Sequence, residues 1–109
     1  MDKSLFEKAH VFRFSEKVDY SVEGIVSKRV IDRSTGNVTL FAFDQGQRLS
    51  EHSAPFDAMV QVIEGNAEIL INRVPYQLAA GDTIIMPANV PHAVNATARF
   101  KMLLTMIKG

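Results

Sequence analysis

The sequence contains no cysteine and no tryptophan among its 109 residues. The lack of cysteine excludes disulfides, thiolate nucleophiles, cysteine-ligated zinc and iron–sulfur centres, so any metal would have to rest on nitrogen and oxygen ligands. A net charge is absent too, because twelve basic residues balance twelve acidic ones and the charges are scattered along the chain. Without an excess of positive charge, no nucleic acid partner is expected.

Long hydrophobic runs and an N-terminal targeting signal are also missing. No apolar run approaches the roughly 20 residues that cross a bilayer. The first ten residues, MDKSLFEKAH, lack the apolar core of a signal peptide. The protein is therefore expected to be cytoplasmic, with no membrane partner. The glycines are scattered and form no G-x-G-x-x-G or P-loop pattern, so no nucleotide site is predicted.

The residues that are present suit one all-β domain over 1–109, because 47% of the side chains are hydrophobic and the length permits one core. From Val11 onward, short runs rich in Val, Ile, Phe and Leu are separated by Gly, Asn, Asp and Pro, as is typical of a sandwich or barrel. About nine runs are predicted to be strands: HVFRF, GIVSKRVI, VTLFAF, QRLSEH, AMVQVI, AEILIN, PYQLA, TIIMP, and HAVNA followed by FKMLLTMI.

Turns are predicted where glycine or asparagine separates two of these runs. The segments STGN at Ser34–Asn37 and EGN at Glu64–Asn66 contain residues that tolerate a positive φ, so both are hairpin candidates. Further reversals are expected at Asn72-Arg73 and at Gly81-Asp82.

The two ends of the chain carry separate predictions. Ser4 followed three residues later by Glu7 matches a capping box, which predicts a helix of barely two turns. The last run, FKMLLTMI, is apolar at nearly every position, which indicates burial on both faces. It is either a central strand of the sandwich or a strand that packs against a partner, and on the second alternative a homodimer is expected.

Two segments together resemble the paired motifs of the cupin family. Gly46, five residues and His52 begin a segment similar to the first motif, G-x5-H-x-H-x3,4-E-x6-G. Gly81, five further residues, Pro87 and then His92 are similar to the second motif, G-x5-P-x-G-x2-H-x3-N. The anchor spacing agrees in both motifs, and strands before and after them extend the resemblance over nearly the whole chain.

The resemblance implies a small single-domain member of the RmlC-like cupin superfamily, of the cupin 2 conserved barrel type. The implied fold is a double-stranded β-helix, also called a jelly roll, whose antiparallel strands close around a cavity. The conserved barrel would span about 37–107, and N-terminal strands over 9–32 would complete the sheets. Such a fold leaves the activity open, because the family includes dioxygenases, isomerases, epimerases, decarboxylases and sugar-sensing domains.

The resemblance also implies a metal site of which half the ligands remain. Family members commonly hold one divalent metal with two histidines and a glutamate of the first motif and a histidine of the second. Here His52 and His92 fill the first and fourth positions, whereas Ala54 and Ala58 stand at the other two. An alanine methyl cannot coordinate, and two histidines fall short of the three or more protein ligands of a stable site.

Three nearby polar side chains, those of Glu51, Asp57 and Gln61, are the candidates to complete such a shell. Residues two apart on a strand share a face, so the histidines of the motif positions are expected to point into the barrel and to line one pocket. The third histidine, His10, lies outside both motifs and is expected at the surface or on an edge strand.

Four functions agree with these residues, and the first is preferred. A largely apolar pocket with His52 and His92 as its polar groups would bind a small molecule. Alternatively, the same two histidines would hold one divalent transition metal, with water and substrate, in a dioxygenase or isomerase. Metal-free acid–base catalysis would need a histidine oriented by Asp57 or Glu51. A sensory domain acting on a separate partner is the fourth possibility.

Overall fold

A computed structural model of the protein describes residues 5–108, which form eight β-strands and one short 3₁₀ helix. The helix is at Phe14–Glu16, and the strands are β1 (Ile25–Arg33), β2 (Gly36–Phe43), β3 (Arg48–His52), β4 (Ala58–Ile71), β5 (Val74–Ala79), β6 (Thr83–Met86), β7 (His92–Asn95) and β8 (Phe100–Ile107). The predicted all-β class is confirmed. Over the described range, no helix has the length and apolar character to span a bilayer.

The strands form two antiparallel sheets that share β4. The front sheet has the order β1-β2-β8-β4-β6, and the back sheet has the order β3-β7-β4-β5. One cluster of buried side chains fills the space between them, with Phe43 and Val60 from the front sheet and Ile69 and Val94 from the back. The sheets therefore curl around a common core, as expected for a jelly roll.

The predicted hairpin at Glu64–Asn66 is wrong, because β4 runs straight through these residues for 14 positions. Gly65 has a φ of +78°, and a Cβ built on it would lie 2.0 Å from the carbonyl oxygen of Arg99. The pairing register of β4 with β8 also shifts just before this glycine. Gly65 therefore bends one strand from the front sheet into the back sheet, and AMVQVI and AEILIN are its two halves.

The other predicted turns are present. Arg33 pairs with Gly36, so β1 and β2 are joined by a two-residue hairpin within STGN. Asn72 and Arg73 both have positive φ, as a type I′ turn requires, and they join β4 to β5. Gly81, with a φ of +94°, lies in the reversal from β5 to β6.

The predicted strand HVFRF is wrong, and within the described residues the strand that precedes β2 is β1, at Ile25–Arg33. The aromatic rings of this region pack on one another instead, with centroids 5.1 Å apart for Phe12 and Phe14 and 5.4 Å for Phe6 and Phe12. Phe6 and Phe14 also pack against a second cluster of buried residues around Leu40. The apolar residues that predicted a strand here therefore pack on the outer face of a sheet.

The helix predicted from Ser4 and Glu7 is only partly open to comparison, because Ser4 lies outside the described residues. Over 5–10 the chain forms bends and turns rather than helix.

The final strand, β8, lies between β2 and β4 in the middle of the front sheet. Phe100 and Met102 face the core between the sheets, whereas Leu103 faces the cluster on the outer side. The central-strand alternative accounts for the apolar run in FKMLLTMI. The expected homodimer stays a prediction.

Candidate functional site

The barrel is packed solid at one end and less enclosed at the other. At the closed end the rings of Phe43 and Phe100 stack with centroids 4.6 Å apart, and both are fully buried. Along β8 the inward side chains change from buried Met102 to partly exposed Leu104, and along β2 they change from Phe43 to partly exposed Phe41. This gradient identifies the end of the barrel opposite the phenylalanine stack as its open end.

His52 and His92 meet at this open end. His52 is the last residue of β3 and His92 the first of β7, and the two are directly paired across the strands. Their rings make an edge contact, with centroids 4.4 Å apart and planes inclined by 67°. His92 is 7% exposed, whereas His52 is exposed. The structure thus brings together the two histidines that the motifs singled out.

Strand register explains why both imidazoles share the inner face. His92 lies two residues before Val94, which is buried in the core, so the two side chains point the same way. Leu49 pairs with Val94 and also packs against the core. His52 is three residues further along, and the irregularity in β3 between Leu49 and His52 restores its alignment with His92.

Main-chain carbonyls set the tautomer of each ring. Nδ1 of His52 lies 2.8 Å from the carbonyl oxygen of Ser50, and Nδ1 of His92 lies 3.2 Å from that of Val90. A carbonyl oxygen can only accept, so each Nδ1 carries the proton and donates it. In the neutral ring the lone pair is then on Nε2, which makes no hydrogen bond within residues 5–108.

Burial favours the neutral form of His92. Desolvation lowers the pKa of this imidazole below its ordinary value, the hydrogen bond to the Val90 carbonyl acts in the opposite direction, and the proximity of His52 lowers the pKa further. A neutral imidazole presents Nε2 as a hydrogen-bond acceptor or as a nitrogen ligand.

The other two motif positions contribute no donor atom. Ala58 is 3% exposed and is paired with Met86 on one side and with Met106 on the other. The side chain at this position is thus a methyl group in apolar surroundings. Ala54 uses its main chain instead, because its carbonyl oxygen accepts a hydrogen bond of 2.7 Å from the amide of Asn89.

The three candidate replacement ligands are engaged elsewhere. Glu51 lies 3.5 Å from Arg73, and Asp57 accepts a hydrogen bond of 2.8 Å from the amide of Ala88. Gln61 alternates with inward-facing neighbours on β4 and so points to the outer side of the front sheet. None of the three is hydrogen-bonded to either imidazole in the described part of the chain.

The residues present therefore do not form a closed site for a divalent metal. Across residues 5–108 no group of three or more His, Cys, Asp or Glu side chains is arranged to hold a metal ion. The donor set at the motif positions consists of two imidazole nitrogens, one fewer than the three protein ligands of even an open catalytic site. Acid–base catalysis by a histidine oriented by Asp57 or Glu51 also lacks the contact that it requires.

His10 lies apart from this region. It is exposed, and its Nε2 is 3.2 Å from a carboxylate oxygen of Glu7. Its expected surface position is confirmed.

Sequence reasoning missed two polar residues on the inner face of β2. Asn37 and Thr39 alternate with outward-facing residues and share the side of Phe41 and Phe43, which pack against the core. The predicted turn STGN includes Asn37, but the structure places this residue on β2. The period-2 pattern N-x-T-x-F-x-F was the signal that would have placed both side chains inside.

Comparison with protein families agrees with this architecture. Residues 39–107 match the family model described as "Cupin domain". The chain belongs to the cupin family. That range runs from the middle of β2 to the end of β8, so it contains both histidines and the whole of strands β3 to β8.

Solved structures extend the likeness to nearly the whole cupin. A conserved protein of unknown function from Streptococcus pyogenes, SPY1581, is 39% identical, with a TM-score of 0.90, over 94% of this chain and 90% of that one. A cupin 2 conserved barrel domain protein from Leptotrichia buccalis is 38% identical, with a TM-score of 0.87, over 89% of this chain. The match covers 47% of the Leptotrichia chain, so this cupin spans about half of that relative.

A more distant relative shows the fold alone. A cupin superfamily protein from Desulfitobacterium hafniense is 21% identical, with a TM-score of 0.90, over 98% of this chain and 97% of that one. No curated protein matches the chain significantly. The comparisons thus define family and fold, and the chemistry has to be argued from the site.

Proposed function

We propose that this cupin binds a small molecule at the open end of its barrel, with His52 and His92 as polar contacts. The observation that carries the proposal is the adjacent pair of imidazoles, each held by a main-chain carbonyl, with neither Nε2 atom hydrogen-bonded to any residue within 5–108. Rings fixed from behind in this way are oriented before any ligand arrives, which reduces the entropic cost of binding.

The surroundings of the pair support the same proposal. Inward-facing Phe41, Leu104 and Met106 of the front sheet are partly exposed, as is Ile71 of the back sheet, which is paired with His92. Apolar side chains with a few oriented polar groups are the usual lining of a small-molecule site. Apolar parts of a ligand would cover these side chains, while a hydroxyl or another donor would reach an Nε2 atom.

The proposal does not depend on a metal. Family cupins commonly use four ligand positions, and this chain retains donors at two of them, so the proposed contacts are hydrogen bonds rather than coordination bonds. Elemental analysis of the purified protein tests the alternative prediction, a metal-dependent dioxygenase or isomerase. If wild type contains near-stoichiometric metal and the His52→Ala, His92→Ala double variant does not, the metal-dependent enzyme is supported over simple ligand binding.

The direct test is a fragment-binding screen by NMR against wild type, His52→Ala and His92→Ala. The matched control is His10→Ala, because His10 is an exposed histidine outside the barrel. Compounds that bind at the open end should lose roughly fivefold in affinity in each site variant, the effect of one hydrogen bond of about 1 kcal/mol. Binding should be unchanged in the control. A broad library from which nothing binds near either histidine would refute the proposal.

A further inference from the structure

The inner face of β2 carries two polar side chains that have no hydrogen-bond partner within residues 5–108. Asn37 is 8% exposed and Thr39 is 7% exposed. Neither side chain makes a hydrogen bond to any other residue within 5–108. Buried polar groups in folded proteins are nearly always hydrogen-bonded, because an unsatisfied amide or hydroxyl costs desolvation energy. Because no residue within 5–108 supplies a partner for either group, water or a ligand has to supply one.

The amide and the hydroxyl face an accessible space. Within the described residues, no side-chain polar atom that is completely enclosed lacks a hydrogen-bond partner. The unpartnered groups of Asn37 and Thr39 must therefore touch a space wide enough for water, although most of each residue is covered. That space is on the inner side of the barrel, because both residues share the face of Phe41 and Phe43.

Topology places this space opposite the histidines. Counting outward from the shared strand β4, the front sheet continues with β8 and β2, and the back sheet continues with β7 and β3. Across the core, β2 therefore faces β3, and β8 faces β7. Thr39 lies four residues from the closed end of β2 at Phe43, and His52 lies four residues from the start of β3 at Arg48. Both side chains are thus about 13 Å along their strands from the closed end.

Two ion pairs lie near this space. On the front side Arg29, the strand neighbour of Thr39, has its guanidinium 3.4 Å from the carboxylate of Asp32. On the back side Arg73 lies 3.5 Å from Glu51, which precedes His52. Each cation is paired with an anion, so neither pair offers an unbalanced charge to a ligand.

We infer that Asn37 and Thr39 are ligand-contacting residues, and that the ligand is an uncharged small molecule bearing hydroxyl groups. This inference rests on the proposed function and adds the chemical class. The Nε2 atoms of the histidines accept hydrogen bonds from one side of the barrel, while the amide and the hydroxyl both donate and accept from the other. Hydroxyl groups can satisfy both sets. A carboxylate only accepts hydrogen bonds, so it has no proton to donate to an Nε2 atom whose ring already donates through Nδ1.

The test is an NMR titration that follows the side-chain amide of Asn37 and the imidazole signals. The uncharged probes are glycerol, erythritol and catechol, and the anionic probes are glycerate, erythronate and benzoate. The variants are Thr39→Val and Asn37→Leu. The control is Thr105→Val, which removes a hydroxyl from the outer face of the same sheet.

The expected result is that uncharged probes shift the Asn37 amide and the imidazole signals, and that Thr39→Val weakens their binding roughly fivefold while Thr105→Val does not. Without ligand, Thr39→Val should melt at the same temperature as wild type or higher, because it removes an unpartnered hydroxyl. A hydroxyl with a structural role would lower the melting temperature instead.

Three outcomes overturn the inference. If binding needs the histidines but is unchanged in Thr39→Val and Asn37→Leu, the proposed function stands, but Asn37 and Thr39 do not contact the ligand. If the carboxylates bind more tightly than the uncharged probes, the proposed function again stands and the ligand class is wrong. If none of the six probes shifts the Asn37 amide or the imidazoles, the inference is refuted, and the broader fragment screen decides the proposed function separately.

Discussion

The ring of His92 meets the ring of His52 at the open end of the barrel, with the two centroids 4.4 Å apart. The residues come from different motifs, and the direct pairing of β3 with β7 brings them together. This cupin therefore keeps one histidine from each family motif, whereas Ala54 and Ala58 occupy the other two ligand positions. On the proposed function, these two histidines contact the ligand through hydrogen bonds rather than through a bound metal.

Restoring the missing ligands should restore a metal site. We expect the Ala54→His, Ala58→Glu double variant to bind one Ni²⁺ or Zn²⁺ per chain, because imidazole and carboxylate would then complete a four-ligand set. The melting temperature should be lower than that of wild type without metal, since a carboxylate would replace a buried methyl at position 58. It should rise when metal is added, because binding stabilises the folded state. Calorimetry and thermal melts measure both effects.

The matched control for this design is Ala54→His with Ala58→Gln, which is similar in size but supplies no carboxylate. It should bind metal more weakly than the double variant. A folded double variant that binds no metal would show that the two alanine positions no longer converge on the histidines.

Gly65 should be the least replaceable of the glycines with positive φ. We expect Gly65→Ala to cost more than about 3 kcal/mol in the free energy of unfolding, because it combines a left-handed backbone with a Cβ that meets the carbonyl of Arg99. Gly46→Ala is the control, since Gly46 has a φ of +89° but open space around its Cβ. It should cost about 1–2 kcal/mol. If urea unfolding showed that Gly65→Ala and Gly46→Ala lose the same free energy of unfolding, close packing around Gly65 would not explain its role.

Tyr20 should make the stability depend on pH in the alkaline range. Its hydroxyl donates a hydrogen bond of 2.5 Å to Glu64, and its ring lies beside the cations of Arg99 and Lys101. Burial first, and then this hydrogen bond and the charge of Glu64, raise the pKa of Tyr20 well above its ordinary value, while Arg99 opposes the shift.

A raised folded-state pKa means that the contribution of Tyr20 is complete below pH 10, the ordinary value, and is lost as the pH rises above it. Tyr20→Phe should cost about 1 kcal/mol at pH 7. Its deficit relative to wild type should shrink above pH 10, because only the unfolded wild type then releases the proton readily. Urea unfolding at pH 7, 9 and 10.5 measures the difference, and a constant deficit would count against this linkage.

Much of the fold could be predicted because its signals are local. Short apolar runs and the turn residues between them located most strands, and the type I′ turn at Asn72-Arg73 depends on little beyond its own backbone. The spacing of His52 and His92 from the motif glycines was enough to single out both residues. Their inward direction followed from strand periodicity once the barrel was assumed.

The wrong predictions concern segments whose structure depends on contacts with residues far away in the sequence. Whether Gly65 turns the chain or bends a strand depends on the carbonyl of Arg99, which approaches from the far end of the sequence. The run HVFRF has the composition of a strand, yet its phenylalanines pack on top of the front sheet. Composition cannot distinguish these cases, because the competing contacts are not neighbours in sequence.

The sequence by itself determined the all-β class, the motif that identifies the family and the two histidines, because each depends on residue type and short spacing. Tertiary structure alone decided that these imidazoles touch, that each Nδ1 donates to the main-chain carbonyl two residues earlier, and that the side chains of Asn37 and Thr39 have no hydrogen-bond partner among residues 5–108. Hydrogen-bond satisfaction is a property of the assembled core, since a side chain lacks a partner only relative to everything that the folded chain brings around it.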